Sequence, residues 1–311
     1  MELQGTRLTA FVAVLLAATA ALLVAATLLG SGGLDAELIA TLRAPRVLAA
    51  AGVGALLALS GLAMQVLLRN PLADPYVLGT SGGASVGALL ALMGGVSLWV
   101  GAAGGALVAG LLLLALARSA LAANDDASAR LILTGAMLAA VSGALATLLL
   151  TLTPDERLRG AIFWLVGDLS GAQHGAACLI AAAVFAAALW WRRRSIDRLL
   201  LGSEAASLLG EPVRRLRYEL LVAASLAAGL AVATAGAIGF VGLVVPQCLR
   251  LAGVQRTREL AWMSPVGGAA LLVAADLLSR TVVAPMELPV GAVMALIGAP
   301  LFIGFLARGV R

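Results

Sequence analysis

Lysine does not occur in this 311-residue chain, histidine occurs once and cysteine twice. Each shortage excludes a chemistry. Without lysine there is no P-loop, whose lysine must reach the β- and γ-phosphates beside the glycines, so the chain does not bind ATP by that route. A single histidine, His174, leaves no room for a histidine metal cluster or relay, and it reads as a helix-end residue. Cys178 and Cys248 stand far apart inside apolar runs, with no CxxC spacing, and read as two small buried hydrophobes. Charge is scarce as well, at 12% of residues. A soluble protein needs more polar side chains than that to cover its surface.

What the chain has instead is apolar length. Hydrophobic residues make up 62%, against a globular norm of roughly 45–50%, and the mean hydropathy is +1.05. That composition describes an all-α, polytopic membrane protein. The formal charge of +5 does not make it a nucleic-acid binder. All the basic residues are arginines, and the one triple, Arg192-Arg193-Arg194, directly follows an apolar stretch, as basic flanks of membrane helices do. The first apolar run, Leu8–Leu29, exceeds the ~7–15 residue core of a signal peptide and reads as an anchor.

A spanning helix needs roughly 20 apolar residues. The runs predict about ten transmembrane helices in one domain over 1–311, at Leu8–Leu29, Arg46–Leu68, Val77–Gly95, Leu98–Ala117, Leu131–Leu152, Gly175–Trp191, Leu216–Gly236, Phe240–Ala252, Leu260–Val282 and Leu288–Ala307. The third and eighth are interrupted or short. Ten spans place both termini on one side. With that side cytoplasmic, sixteen arginines lie inside and five (Arg43, Arg46, Arg157, Arg159 and Arg280) outside, the asymmetry that the positive-inside rule requires. Trp99, Trp190, Trp191 and Trp262 fall at span ends, as interfacial aromatics do. In the fifth span Gly135, Ala139 and Gly143 recur every four residues, a spacing that lets a neighbouring backbone approach closely.

Some segments are not plain anchors. In Asn70-Pro71-Leu72-Ala73-Asp74-Pro75 one proline ends a helix, and Asp74 can cap another that opens on Pro75. The following Gly79–Ser85 stretch is polar and glycine-rich, and both a tight turn and a pathway element fit it. The inner loop 195–217 repeats a pattern of serine before and glycine after. Ser195 can cap a short helix ending at Gly202, and Ser203 a second, with Glu204 in its first turn, ending at Gly210. Leu199, Leu200, Leu208 and Leu209 give this pair apolar faces suited to docking a cytoplasmic partner. Asp276 and Arg280, four residues apart, suit a local ion pair. A prenyl-diphosphate enzyme would need two aspartate clusters for Mg²⁺, and Asp125-Asp126 has no counterpart cluster. An ion-coupled secondary transporter would carry an ionisable group near mid-membrane, and none is evident in these spans.

Three stretches, Arg43–Gly87, Gly236–Leu251 and Ala275–Leu306, together resemble the permease subunits of iron-chelate, haem and vitamin B12 ATP-binding-cassette importers. The resemblance implies a homodimer of permeases in the bacterial inner membrane, two copies of a separate ATPase that binds ATP-Mg, and a periplasmic or extracellular substrate-binding protein. The permease itself is then no enzyme and binds no cofactor. It moves a ferric siderophore or haem inward, or alternatively a cobamide. It implies a cytoplasmic gate at Asn70, Pro71, Leu72 and Ser128, and ATPase coupling through Leu200, Gly202, Ser203, Glu204, Leu208, Leu209 and Gly210. It implies binding-protein docking by Arg43, Arg46 and Arg280, and a pathway along the dimer axis lined from the fifth and tenth spans, with Gly135, Ala139, Ser142 and Gly143 in the fifth. The family usually has histidine where this chain has Gln247.

Overall fold

The computed structural model describes residues 6–30, 33, 35–118 and 127–307, and among them every regular element is a helix. In chain order these are α1 Thr6–Leu28, α2 Ala36–Leu67, α3 Thr80–Gly94, α4 Leu98–Leu116, α5 Ala127–Thr151, α6 Asp155–Val166, α7 Gly175–Trp191, α8 Arg193–Leu200, α9 Ser203–Leu208, α10 Val213–Ala235, α11 Val241–Leu251, α12 Thr257–Thr281 and α13 Val290–Ala307. Six of them (α1, α2, α4, α5, α10 and α12) are long and apolar enough to cross a membrane. The bent pair α7–α8 adds a seventh, and α3, α11 and α13 are shorter apolar helices.

The most buried helix is α2, and glycine explains how its neighbours come so close. A Cβ on Gly54 would lie 2.2 Å from the Gly268 carbonyl oxygen of α12, and one on Gly268 2.2 Å from that of Gly54. A Cβ on Gly61 would lie 1.9 Å from the Gly242 oxygen of α11. The hairpin of α3 and α4 repeats the device, because a Cβ on Gly87 would lie 2.1 Å from the Gly101 oxygen. In lipid, where helices gain no hydrophobic advantage from meeting, such backbone contact maximises dispersion. Most of the rest of the core is Leu, Ala, Val and Met from α2, α7, α10, α11 and α12.

α2 begins at Ala36, ten residues before the expected start at Arg46. Pro45 reads as a helix start because it lacks an N–H. The chain accommodates it with one π turn, Ile39–Arg43, in which Ala44 N–H bonds the Ile39 carbonyl five residues back. α6 is a further helix that apolar runs did not reveal, being only weakly apolar, with Asp155 and Glu156 in its first turn.

α3 and α11 are half-length, and both start inside the bundle. Gly79, left-handed at φ 72°, turns the chain into α3 beside Gly135 and Ala139 of α5, about 12 Å along that helix at 1.5 Å per residue. The Gly79–Ser85 stretch is therefore a turn followed by a packed helix. Asp74 caps as expected, accepting from Tyr76 N–H at 2.8 Å, though the turn it opens, Pro75–Leu78, is 3₁₀. The segment before α11 meets this turn, where the Tyr76 hydroxyl accepts the Ile238 N–H at 2.8 Å. Cys178 is buried beside the Thr234 hydroxyl at 3.3 Å, but Cys248 is exposed on α11, contrary to its expected burial. His174 stands at the N-cap of α7, stacked on Trp99 with ring centroids 4.4 Å apart.

Candidate functional site

Three regions carry the residues singled out by sequence: an arginine-rich end, the opposite end, and the outer face of α5.

At the arginine-rich end, α8 and α9 form the expected short-helix pair, but not by serine capping. Ser195 lies inside α8, which runs on from α7 at Arg192 after a 64° bend. The α9 N-cap is Gly202, and the Ser203 hydroxyl accepts from Arg217. The glycine stops hold, with Gly202 at φ 118° and Gly210 at φ 78°. The leucines divide by face. Ile196, Leu199 and Ala206 are buried, whereas Leu200, Leu201, Leu208 and Leu209 are exposed, Leu208 at 84%. Glu204 is exposed in the first turn of α9. The glycine between the helices faces Arg69, whose guanidinium would lie 3.8 Å from a Cβ on Gly202. Arg69 directly precedes Asn70 and Pro71, both exposed, and half-buried Leu72; the Asn70 side chain accepts from Leu72 N–H at 2.9 Å. Ser128 falls in the first turn of α5, and its side chain lies outside the described residues, as do Asp125 and Asp126.

At the opposite end the three arginines expected to dock a binding protein each make contacts within the chain. Arg43 donates to the carbonyls of Leu28 and Gly33, each at 2.8 Å, and Arg280 to those of Ala26 and Leu29. Together they satisfy orphan carbonyls at the C-terminus of α1, where a cation also suits the helix dipole. Arg46 Nε donates to Asp276 Oδ1 at 2.8 Å, and Arg46 also donates to Glu287 Oε2 at 2.7 Å. The Asp276–Arg280 pair read from spacing is present, with Arg280 Nε 3.2 Å from Asp276 Oδ2. That contact is electrostatic, since neither atom makes a directed hydrogen bond. Arg43, Arg46, Asp276 and Arg280 are all buried, and Glu287 alone is open to solvent. The cluster ties α1, α2, α12 and the 282–289 segment into one clamp.

Along α5, the four residues expected to line a pathway separate. Gly135 and Ala139 pack on Gly79, and Ser142 on Gly82, so these three serve contact with α3. Gly143 alone is exposed, and α5 also exposes Leu133, Met137, Val141 and Leu148. α13 likewise exposes Leu296 and Ile303. Gln247 is buried in α11.

A bundle of apolar helices with buried glycine crossings, paired with a protruding short-helix knob, fits a transport subunit better than an enzyme. Residues 6–308 match the FecCD transport family. The chain belongs to that family. It is a multi-pass ABC-importer permease of the FecCD type. The vitamin B12 import system permease protein BtuC of Vibrio cholerae is 40% identical over 88% of this chain and 84% of its own length. YvrB of Bacillus subtilis, an uncharacterised ABC transporter permease, is 40% identical over 88% of this chain and 79% of its own. A solved metal-chelate type ABC transporter, captured inward-facing, superposes with a TM-score of 0.86 at 26% identity, covering 96% of this chain and 99% of that one.

Proposed function

We propose that this FecCD permease pairs with a second copy of itself and two separate ATPase subunits in a bacterial inner membrane, and admits a large chelate delivered by a substrate-binding protein. All ten apolar helices then cross or enter the bilayer, with both termini and the arginine-rich end cytoplasmic. The observation that carries this reading is the α8–α9 knob. Its leucines are exposed at an end rich in arginine, outside the hydrocarbon, where apolar side chains gain only by burial in a partner. The permease holds no ATP site of its own, and hydrolysis falls to that partner.

Placing a charge on the knob should uncouple the two. Leu208→Arg would bury an unpaired guanidinium in the ATPase groove and weaken assembly by about 2 kcal/mol. Co-purification and ATPase stimulation are the readouts, and wild-type values for both would refute the assignment.

Asn70, Pro71, Leu72 and Ser128 form the inner gate in this reading, with the open faces of α5 and α13 turned to the dimer axis. Arg69 beside Gly202 supports a short mechanical route from knob to gate. Cysteines at Leu72 should crosslink between two copies to an extent that changes with nucleotide, and nucleotide-independent crosslinking would mean that the loop is static.

Two chelate classes are equally supported. The solved metal-chelate type neighbour fits a ferric siderophore, haem and cobalt-bearing cobalamin alike, and the curated BtuC relatives are vitamin B12 permeases. ATPase stimulation in the reconstituted complex with its binding protein, measured across ferric siderophores, haem and cobalamin, separates them. No stimulation by any of these would exclude the chelate class.

A further inference from the structure

Two grooves lie end to end along α4 and α10. The first, of about 810 Å³ at the arginine-rich end, is lined by Arg118, just past α4, by Ser203 and Ser207 of α9, and by Arg214, Arg215 and Tyr218 of α10, with Glu211. Its carboxylate is already taken: Arg198 donates to Glu211, and Arg215 pairs with nearby Glu219, which also receives Arg192. Among the described residues no carboxylate pairs with Arg118 or Arg214, both exposed, so two guanidinium groups face the groove.

The second groove, of about 410 Å³, begins one helical turn further on, at Leu114 of α4 and Val222 of α10. It runs to Ala103, and Ser225 is its one polar lining side chain. At 1.5 Å per residue, Ala103 to Leu114 covers about 16 Å, roughly half of the ~30 Å hydrocarbon core. That is the depth of one leaflet.

We propose that this edge binds one anionic phospholipid, its phosphate held by Arg118 and Arg214 and one acyl chain lying in the α4–α10 groove. The pairing of a cationic mouth with an apolar trough of single-leaflet depth is the chemistry of a phosphodiester on a hydrocarbon tail. A free phosphate would leave the trough empty. A soluble acidic partner could reach the mouth but not the trough, which lies at membrane depth. Arginine suits the headgroup because its planar fork bonds two phosphate oxygens at once. Because Ser203 and Ser207 come from α9, the bound headgroup would also brace the knob against α10. The inference needs only that the arginine-rich end meets a leaflet surface, and so it stands apart from the choice of chelate.

The test is lipid retention by the intact permease, released from nanodiscs of phosphatidylglycerol or phosphatidylcholine and weighed by native mass spectrometry. Phosphatidylglycerol should be kept in preference to phosphatidylcholine. Near a membrane surface each arginine is worth about fivefold in affinity for an anionic lipid, so Arg118→Ala with Arg214→Ala should lower retention about 30-fold. The double lysine variant, which keeps both charges, should retain most of the binding and shows that the alanine variant's loss is not misfolding. Gly110→Phe blocks the trough without touching a charge; a Cβ there meets only Ser225, at 3.8 Å, so the first side-chain carbon clears the neighbouring backbone and the ring fills the groove that Gly110 lines. It should lower phosphatidylglycerol retention and leave glycerol 3-phosphate binding alone. Equal retention of the two lipids, or wild-type retention by the double alanine variant, would overturn the proposal. Glycerol 3-phosphate competing as well as the whole lipid would reduce it to an anion site, and lipid expelled on assembly with the ATPase would give the groove to that partner.

Discussion

Asp276→Ala is expected to cost about 3–5 kcal/mol of stability, the usual result of removing one partner from a buried ion pair. The carboxylate is fully buried between Arg46 and Arg280. Without it two guanidinium groups remain near the membrane with one exposed carboxylate, Glu287, to share. Against a total stability of roughly 5–15 kcal/mol such a loss removes much of the folded population. Asp276→Asn should fail nearly as badly, since it keeps the shape and loses the charge. Glu287→Gln, half in solvent, should cost under about 1 kcal/mol. Thermal unfolding in detergent measures all three. An Asp276→Ala protein that melts with wild type would show that the clamp does not hold this end.

Gly61→Leu should be comparably damaging, at about 3 kcal/mol or more. Its Cβ alone would stand 1.9 Å from the Gly242 oxygen and 2.4 Å from the Gly242 Cα. The obstacle is backbone, so no side chain can rotate out of the way, and α2 and α11 must separate along their crossing. Gly104→Ala is the control. A Cβ there has nothing within 4 Å, and alanine favours the helix by up to ~1 kcal/mol. If Gly61→Leu and Gly104→Ala unfold together, close backbone contact is not what holds α2.

Most helices were legible because each rests on a local quantity, the length of an apolar run. The capping of Tyr76 by Asp74 was legible for the same reason, the two being neighbours in sequence. What escaped depends on distance. Arg46 meets Asp276 across 230 residues, so spacing reveals the Asp276–Arg280 half of the clamp and not the half that crosses helices. The same distance hides the α1 carbonyl that Arg280 reaches across 254 residues. Ser195 and Ser203 failed as caps because α8 continues α7 after a bend, and because Arg217 claims the Ser203 hydroxyl. The small residues of α5 announced a close approach correctly, but not that the approaching backbone is α3 of the same chain.

The glycine crossings of α2 restrict how the permease can move. Where each carbonyl sits at the other helix's Cα, sliding by even part of a turn drives a side chain of the neighbouring residue into backbone. Shear between packed helices, one of the two common modes of domain motion, is therefore closed to the α2–α11–α12 block. Any alternation of access has to rock this block as a rigid unit and take up the deformation elsewhere. Open-faced α5, which takes no part in those crossings, is the compliant member. In the proposed dimer, spin labels on α2 and α12 should keep a constant separation through the nucleotide cycle, while labels on α5 of the two copies should not.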